Sequence, residues 1–422
     1  MLTLKAIQEA AVLLRDVARR TPLLYSHTYS RAAQAHVYLK TENLQRTGSF
    51  KIRGAYVKMS YLPPEARKTG VIAASGGNHA QGVALAGRHL GIPTTIVMPE
   101  DAPLAKIAAT RNRGVEVVLK GAVYDHAQAH ARRLQRQRGL AFIPAFDDYL
   151  VMAGQGTISL EVLEELPDAE LLLVPVGGGG LISGMAVAAK ELRPGIRVIG
   201  VQAAAAPAAA LSFRDGRRKS HHASSTIADG IAIQRPGRLT FSVIQKYVDD
   251  IVTVEEEAIS QAQVMLMERS KLVVEGAGAV GLAALLSGRV RAEGRKAVVL
   301  LSGGNVDINL LAKIIHHGLS TAGRYLILRT RLQDRSGQLF RLLSRLAEKK
   351  VNIINIQHRR ERLGLPLGQA EVELILETRD ITHCREVVEH LSQYGYEVEV
   401  EGEAGSRPEG RASGVRSGLD SR

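Results

Sequence analysis

The residue best equipped for chemistry is Lys51, in Thr47-Gly48-Ser49-Phe50-Lys51-Ile52-Arg53-Gly54-Ala55. Most lysines are solvated surface charges. Here an apolar residue precedes the lysine and glycines flank it, so the amine can be held in a desolvated pocket. Desolvation lowers an amine pKa and makes the group both a Schiff-base nucleophile and a proton acceptor. Three other segments offer partners. Ser75-Gly76-Gly77-Asn78-His79 supplies backbone N–H groups and small polar side chains at a predicted helix start, a turn that can hold a carboxylate without an arginine. Its ordinary reading is a Gly-rich turn with an Asn cap and a structural histidine. Gly177-Gly178-Gly179-Gly180, between Val176 and Leu181, exposes amides that can surround a phosphate. It lacks the GxGxxG or GK[ST] spacing of nucleotide loops, which leaves a mononucleotide-sized phosphate as the compatible ligand. Ser302 offers a neutral hydroxyl where the nitrogen of a bound pyridine can sit. A neutral partner leaves that nitrogen largely unprotonated, disfavours a long-lived carbanion and favours prompt loss of a β leaving group over transamination.

These segments need a scaffold that brings them together. From Val71 to Leu301, apolar β-type runs at Val71–Ala74, Thr94–Met98, Val115–Leu119, Leu171–Val176, Val198–Val201 and Ala297–Leu301 alternate with helical stretches. That alternation predicts a parallel sheet covered on both faces by helices. Ser75, Gly177 and Ser302 each follow such a run, and ligands of open α/β sheets collect at the carboxyl ends of strands. After Thr321 the pattern becomes a short βαββαβ unit: a strand at Tyr325–Leu332, a helix at Gln338–Lys350 with Leu339, Leu342, Leu343 and Leu346 on one face, and a strand at Val351–Gln357. A third strand around Ala370–Glu377, a helix at Cys384–Leu391 and a strand at Tyr396–Val400 complete it. This is the order of a ferredoxin-like module. Cys384 falls on an apolar helical face and reads as core. Residues 402–422, with almost nothing apolar, read as a disordered tail.

Bulk properties narrow the classes. A chain of 422 residues is long enough for two or three domains. The single cysteine excludes an intrachain disulfide and a cysteine zinc cluster. No signal peptide or membrane span is legible, so a cytoplasmic protein is expected. The formal charge of +13 comes with 4% aromatic residues and no Trp, and the basic residues are scattered, which argues against nucleic acid as a partner.

Taken together, the segments resemble the fold type II pyridoxal phosphate (PLP) enzymes, and specifically the threonine dehydratase (threonine ammonia-lyase) family. TGSFKIRGA at Lys51, SGGNHAQGVA from Ser75, FDDYLVMAGQGT from Phe146, GGGGLISG from Gly177, ADGIAIQRPG from Ala228, EGAGA from Glu275 and LSGGNVD from Leu301 stand in the family's order. The resemblance implies a two-lobed, tryptophan synthase β-like α/β domain over 1–320, with a smaller lobe at about 50–145. The module at 324–401 resembles an ACT domain, whose amino-acid-binding turn is similar to Asp334-Arg335-Ser336-Gly337.

By motif, Lys51 would carry the PLP and Phe50 would pack near its ring. Asn78 would bond the ring hydroxyl, Gly177, Gly178, Gly179, Gly180 and Leu181 would bind the phosphate, and Ser302 would meet the pyridine nitrogen. Ser75, Gly77, Asn78 and His79 would receive the substrate carboxylate. Two departures matter. Gly76 stands where the serine racemase branch has a second Ser, which puts racemisation in doubt. Gln202 stands where metal-using relatives have Glu, so no metal is expected, because a hard divalent cation needs several oxygen ligands. The expected activity is dehydration and deamination of L-threonine to 2-oxobutanoate and ammonia, with L-serine giving pyruvate. Alternatives are a serine racemase or serine dehydratase on the same fold and, in another class, a catalytically silent amino-acid-binding regulator. An amino-acid effector at the ACT module and a homodimer or homotetramer are further expectations.

Overall fold

Residues 1–102, 104–122, 124–361 and 365–400 are described in this computed structural model. The tail expected at 402–422, and the last residue of the 324–401 module, lie outside them. The chain divides into two compact units, Met1–Ile314 and Ile315–Arg422. In the first unit the strands are β1 (Leu23–Tyr25), β2 (His36–Lys40), β3 (Val71–Ala74), β4 (Thr94–Met98) and β5 (Glu116–Leu119), followed by β6 (Ala141–Phe142), β7 (Leu171–Pro175), β8 (Arg197–Ala203), β9 (Asp250–Val254) and β10 (Lys296–Leu300).

They form two sheets. One has the order β5-β4-β3-β6 and the other β1-β2-β10-β7-β8-β9. All pairings are parallel except β1 with β2. Alternation along the strands explains why helices cover both faces. Leu171 and Leu173 join Ala297 and Val299 in one apolar cluster, whereas Leu172 and Val174 join Val298 and Leu300 in another. Successive side chains of a strand point to opposite faces, so a run apolar at every position must be buried twice. The small sheet does the same, with Val71, Ala73, Ile96 and Met98 on one side and Ile72, Ala74 and Val97 on the other.

The sequence reading did not isolate β1, β2, β6 or β9. The β2 strand pairs with β10 across some 260 residues of chain, Val37 opposite Ala297, and nothing local to His36–Lys40 announces that partner.

The second unit is a separate βαββαβ module. Its strands are β11 (Tyr325–Gln333), β12 (Asn352–Arg359), β13 (Gln369–Glu377) and β14 (Val398–Val400), with helices Gln338–Glu348 and Ile381–Gln393. The sheet has the order β12-β13-β11-β14 and is wholly antiparallel. Leu342, Leu346, Val387 and Leu391 from the helices meet Leu326, Leu328, Val372 and Leu374 of the sheet. Cys384 packs against this core, its thiol 3.2 Å from both the Gly323 carbonyl and the Thr378 hydroxyl. Asp334-Arg335-Ser336-Gly337 is an exposed turn leading into the first helix. Gly337 takes φ +84° there, and the Asp334 carboxylate pairs with Arg360 at 3.1 Å. Among the described residues no helix is long and apolar enough to cross a membrane.

Candidate active site

The turn before Lys51 is fastened to the turn after β10. Phe50 N donates to the Ser302 carbonyl at 3.2 Å and Gly304 N to the Gly48 carbonyl at 2.8 Å, and Ser49 bridges Gly303. Lys51 then opens the helix Lys51–Ser60. The helix Asn78–Leu90 lies hard against it at Gly82, where a Cβ would come 2.9 Å from the Lys51 carbonyl carbon. A side chain there would push the two helices apart and move the lysine.

The Lys51 amine donates to the Ala145 carbonyl at 3.3 Å and lies 5.0 Å from the centre of the Phe50 ring. Desolvation pushes its pKa down to about 8, against the partial restoring effect of the Glu275 carboxylate. Burial, reinforced by the Lys51 charge, likewise pushes His79 down to about 3. Its Nε2 lies 3.0 Å from the Ile143 carbonyl. A carbonyl only accepts, so that nitrogen carries the proton and the ring is neutral.

Ser75 follows β3 directly, and its hydroxyl accepts from Gly77 N at 3.2 Å. Asn78 begins the next helix, its amide turned to Glu275 and Asn305. A Cβ on Gly77 would meet nothing within 4 Å, and one on Gly76 would have only ordinary contacts with Pro99 and Ala102, so open space lies over this turn.

The four glycines follow β7, and the last of them starts the helix Gly180–Leu192. Gly179 adopts φ +95°, a conformation that disfavours any other residue. The turn is braced from behind. Thr240 Oγ1 and Gly237 N donate to the Gly178 carbonyl at 2.7 and 3.1 Å. The Asp147 carboxylate accepts from the amides of Arg238, Leu239 and Thr240. A helix of this length presents unpaired N–H groups and a positive end at its first turn, suited to a phosphate. Phe146 ties this turn to the lysine: its ring fills the space left by the missing Gly178 side chain, and its neighbour Ala145 accepts from Lys51.

The geometry thus brings Lys51, Phe50, His79 and Ser302 close together, with Ser75 and Asn78 in the turn that leads to His79 and the glycine turn joined to Lys51 through Ala145 and Phe146. Over residues 14–303 the sequence matches the pattern of the pyridoxal-phosphate dependent enzymes, and over 326–394 that of the ACT domain. The chain belongs to the pyridoxal-phosphate dependent enzyme family. It is 49% identical over 402 residues to an L-threonine ammonia-lyase of Thermotoga maritima and 52% identical over 400 residues to one of Geobacter sulfurreducens; each match takes in 95% of this chain and the whole relative. The solved structure of maize serine racemase superposes with a TM-score of 0.72 at 35% identity, covering 76% of this chain and 98% of that one.

Within this PLP-dependent enzyme two site residues escaped the sequence reading. Glu275 and Asn305 stand inside segments quoted above, but no role was attached to them. Neither a glutamate at a helix start nor an asparagine after two glycines signals a site by itself, and only their hydrogen bonds to Asn78 do so. Gln202 is buried, its Oε1 accepting from Ala210 N at 2.9 Å. Among the described residues no three of His, Cys, Asp and Glu gather as a metal site requires.

The glycine turn makes a direct prediction. An alanine Cβ at 178 would lie 2.4 Å from Cγ and Cδ1 of Phe146, so the ring must move and carry the Ala145 carbonyl with it. Gly178→Ala is expected to weaken PLP binding about tenfold or more, since overpacking costs about 1–3 kcal/mol. Titrating the cofactor-free protein with PLP by absorbance measures the loss, and unchanged affinity would refute it.

Proposed function

We propose that this enzyme converts L-threonine to 2-oxobutanoate and ammonia, and L-serine to pyruvate and ammonia, with Lys51 as cofactor carrier and base. One observation carries the reading: a lysine amine held near pKa 8 at the carboxyl ends of the parallel strands of two sheets, joined through Ala145 and Phe146 to a glycine-rich helix start. The full-length likeness to proteins named L-threonine ammonia-lyase supports the substrate.

The residues fit PLP. The helix start at Gly177–Gly180 and Leu181 would take its phosphate, Lys51 its aldehyde, Asn78 its ring hydroxyl and Ser302 its ring nitrogen, with Phe50 against the ring. When bound, PLP supplies the electron sink for the pair released at the substrate α carbon. The chain supplies the rest. Ser75 and the amides of Gly77, Asn78 and His79 take the substrate carboxylate at the start of a 13-residue helix, where His79, neutral throughout the working pH range, adds no charge. Lys51 accepts the α proton, which requires its unprotonated form, so turnover rises with pH toward about 8. The neutral Ser302 hydroxyl favours prompt departure of the β hydroxyl as water.

A pocket that admits one extra methyl discriminates threonine from serine by about 1–3 kcal/mol, so both should react. In the second unit the turn Asp334–Gly337 would receive an amino-acid effector, residues 324–401 acting as the regulatory domain and 1–320 as the catalytic one. A cytoplasmic homodimer or homotetramer completes the reading.

The likeness to a serine racemase favours one rival. Racemisation needs a proton donor on the substrate face opposite Lys51, and Gly76 offers none. Purified protein supplied with PLP should therefore give 2-oxobutanoate from L-threonine, less pyruvate from L-serine, and no D-serine. Failure to form a 2-oxo acid from either substrate sinks the proposal; D-serine exceeding pyruvate would replace it with the racemase.

A further inference from the structure

We infer that Glu275 is a positioning residue for this reaction: its buried carboxylate, linked through Asn78 to Asn305, fixes which end of the Asn78 amide faces the cofactor. The inference rests on the function proposed above and adds a residue to its machinery.

Glu275 stands at the N-cap of the helix Gly276–Leu286 but makes no side-chain cap there. Its carboxylate turns instead to Asn78, Oε1 and Oε2 lying 2.7 and 3.0 Å from Nδ2. The pocket that admits it is cut from the turn bearing Ser302. Glu275 N donates to the Gly303 carbonyl at 3.0 Å, and a Cβ on Gly303 would sit 2.4 Å from Glu275 Oε1. The residue is 6% exposed.

The hydrogen bonds have one consistent direction, fixed at one end by the Thr47 carbonyl, which can only accept, and at the other by the ionised Glu275 carboxylate. Asn305 Nδ2 lies 2.8 Å from the Thr47 carbonyl and 2.7 Å from Asn78 Oδ1. The carbonyl needs a donor, so Asn305 presents its NH₂, and both its hydrogens are used. Asn78 must then offer oxygen to Asn305 and its own NH₂ to Glu275. One Asn78 hydrogen is spent on the carboxylate and one is left over. An anionic ring oxygen is the acceptor such a hydrogen suits. With Glu275 uncharged, the amide loses the stronger of its two anchors.

Glu275 also titrates where the enzyme works. Burial pushes it up to about 7, with Asp229 adding to the rise and Asn78, Lys106 and Lys51 opposing it. Those three charged groups face it from the start of the lysine helix, from the helix Leu104–Arg111 and from the 229–231 turn. Ionised Glu275 anchors Asn78 by a charge-assisted hydrogen bond, and protonated Glu275 leaves only a weaker neutral one.

Glu275→Gln keeps the shape and removes both charge and titration. In the PLP-loaded enzyme we expect the pH midpoint of the cofactor's visible band to shift by about half a unit or more. The kcat for threonine should fall about tenfold with KM within about threefold, as for a misplaced catalytic contact. The ionisation near 7 should vanish from the kcat profile. Asn305→Leu frees the other end of Asn78 and should shift the band and lower kcat with Glu275 and its ionisation intact; it decides by those two readings if Glu275→Gln melts early. A working wild type whose variants show an unmoved band and unchanged pH profile overturns the inference alone, as does a loss of kcat uniform with pH. A wild type with neither band nor 2-oxobutanoate overturns the proposed function and this inference with it.

Discussion

Lys51→Ala should abolish turnover of threonine while leaving the fold intact. The amine is both the attachment point and the base in the proposed mechanism, and removing a nucleophile and a general base together costs at least about 10⁴-fold. The fold should survive because the side chain contributes little to the core: one hydrogen bond to Ala145 and proximity to Phe50. The cofactor-free protein adds a second reading. The folded lysine, near pKa 8, binds its proton less tightly than the unfolded one, near 10.5. The unfolded chain therefore holds more protons between those values, and stability must rise as pH goes from about 8 toward 10.5. Thermal melts at pH 7.5 and 9.5 should show that rise in the wild type and a smaller one in Lys51→Ala. Residual 2-oxobutanoate at more than about one part in a thousand would mean that another group is the base.

Why Lys51 was legible in the sequence, and Glu275 was not, is a matter of distance along the chain. The Lys51 segment, the Ser75 turn and the four glycines are each contiguous, and the last two each follow an apolar run whose composition marks it as a buried strand. Local chemistry and local structure agree there, and the alternating runs predict the parallel sheets that assemble them. The Glu275 site depends on residues 47, 78, 275 and 305 meeting, and no short-range pattern encodes that. The same holds for β2, whose parallel partner β10 arrives 260 residues later.

In the second unit the order of elements was legible from periodicity, but the exposure of β12 was not. Ile353, Ile354 and Ile356 lie within the strand read at Val351–Gln357, and they are 40%, 46% and 39% exposed on an edge strand. An edge strand and an inner one have the same composition, and only the sheet order separates them.

Arg53→Met should cost more stability than any substitution at the site itself. Two residues past Lys51 on the same helix, Arg53 is 1% exposed. It holds Glu42 through Nε and Nη2 at 2.9 and 2.8 Å, and Glu161 through Nη1 and Nη2 at 2.6 and 3.0 Å. Lys40, fully buried, completes the cluster with 2.6 Å bonds to Glu161 and the Thr21 carbonyl. Breaking a buried pair from one side leaves an uncompensated charge and costs about 3–5 kcal/mol. Burial pushes the Glu42 carboxyl up, but the adjacent Arg53, with Thr21 and Lys40, more than offsets this and holds it below its ordinary value. A depressed carboxyl stabilises the fold above its unfolded pKa and loses that contribution as pH falls through the folded one. In Arg53→Met the sign reverses: the orphaned Glu42 is driven upward and takes a proton at moderate pH. The deficit, read from urea unfolding, should therefore be greatest near pH 8 and shrink toward pH 5, and adding Glu42→Gln should recover part of it at pH 8. An equal deficit at both pH values would show that lost packing, not buried charge, is the cause. Because the cluster clamps the first turn of the helix that begins at Lys51, the same variant tests whether the amine's position depends on it: folded Arg53→Met at low temperature should bind PLP more weakly than wild type.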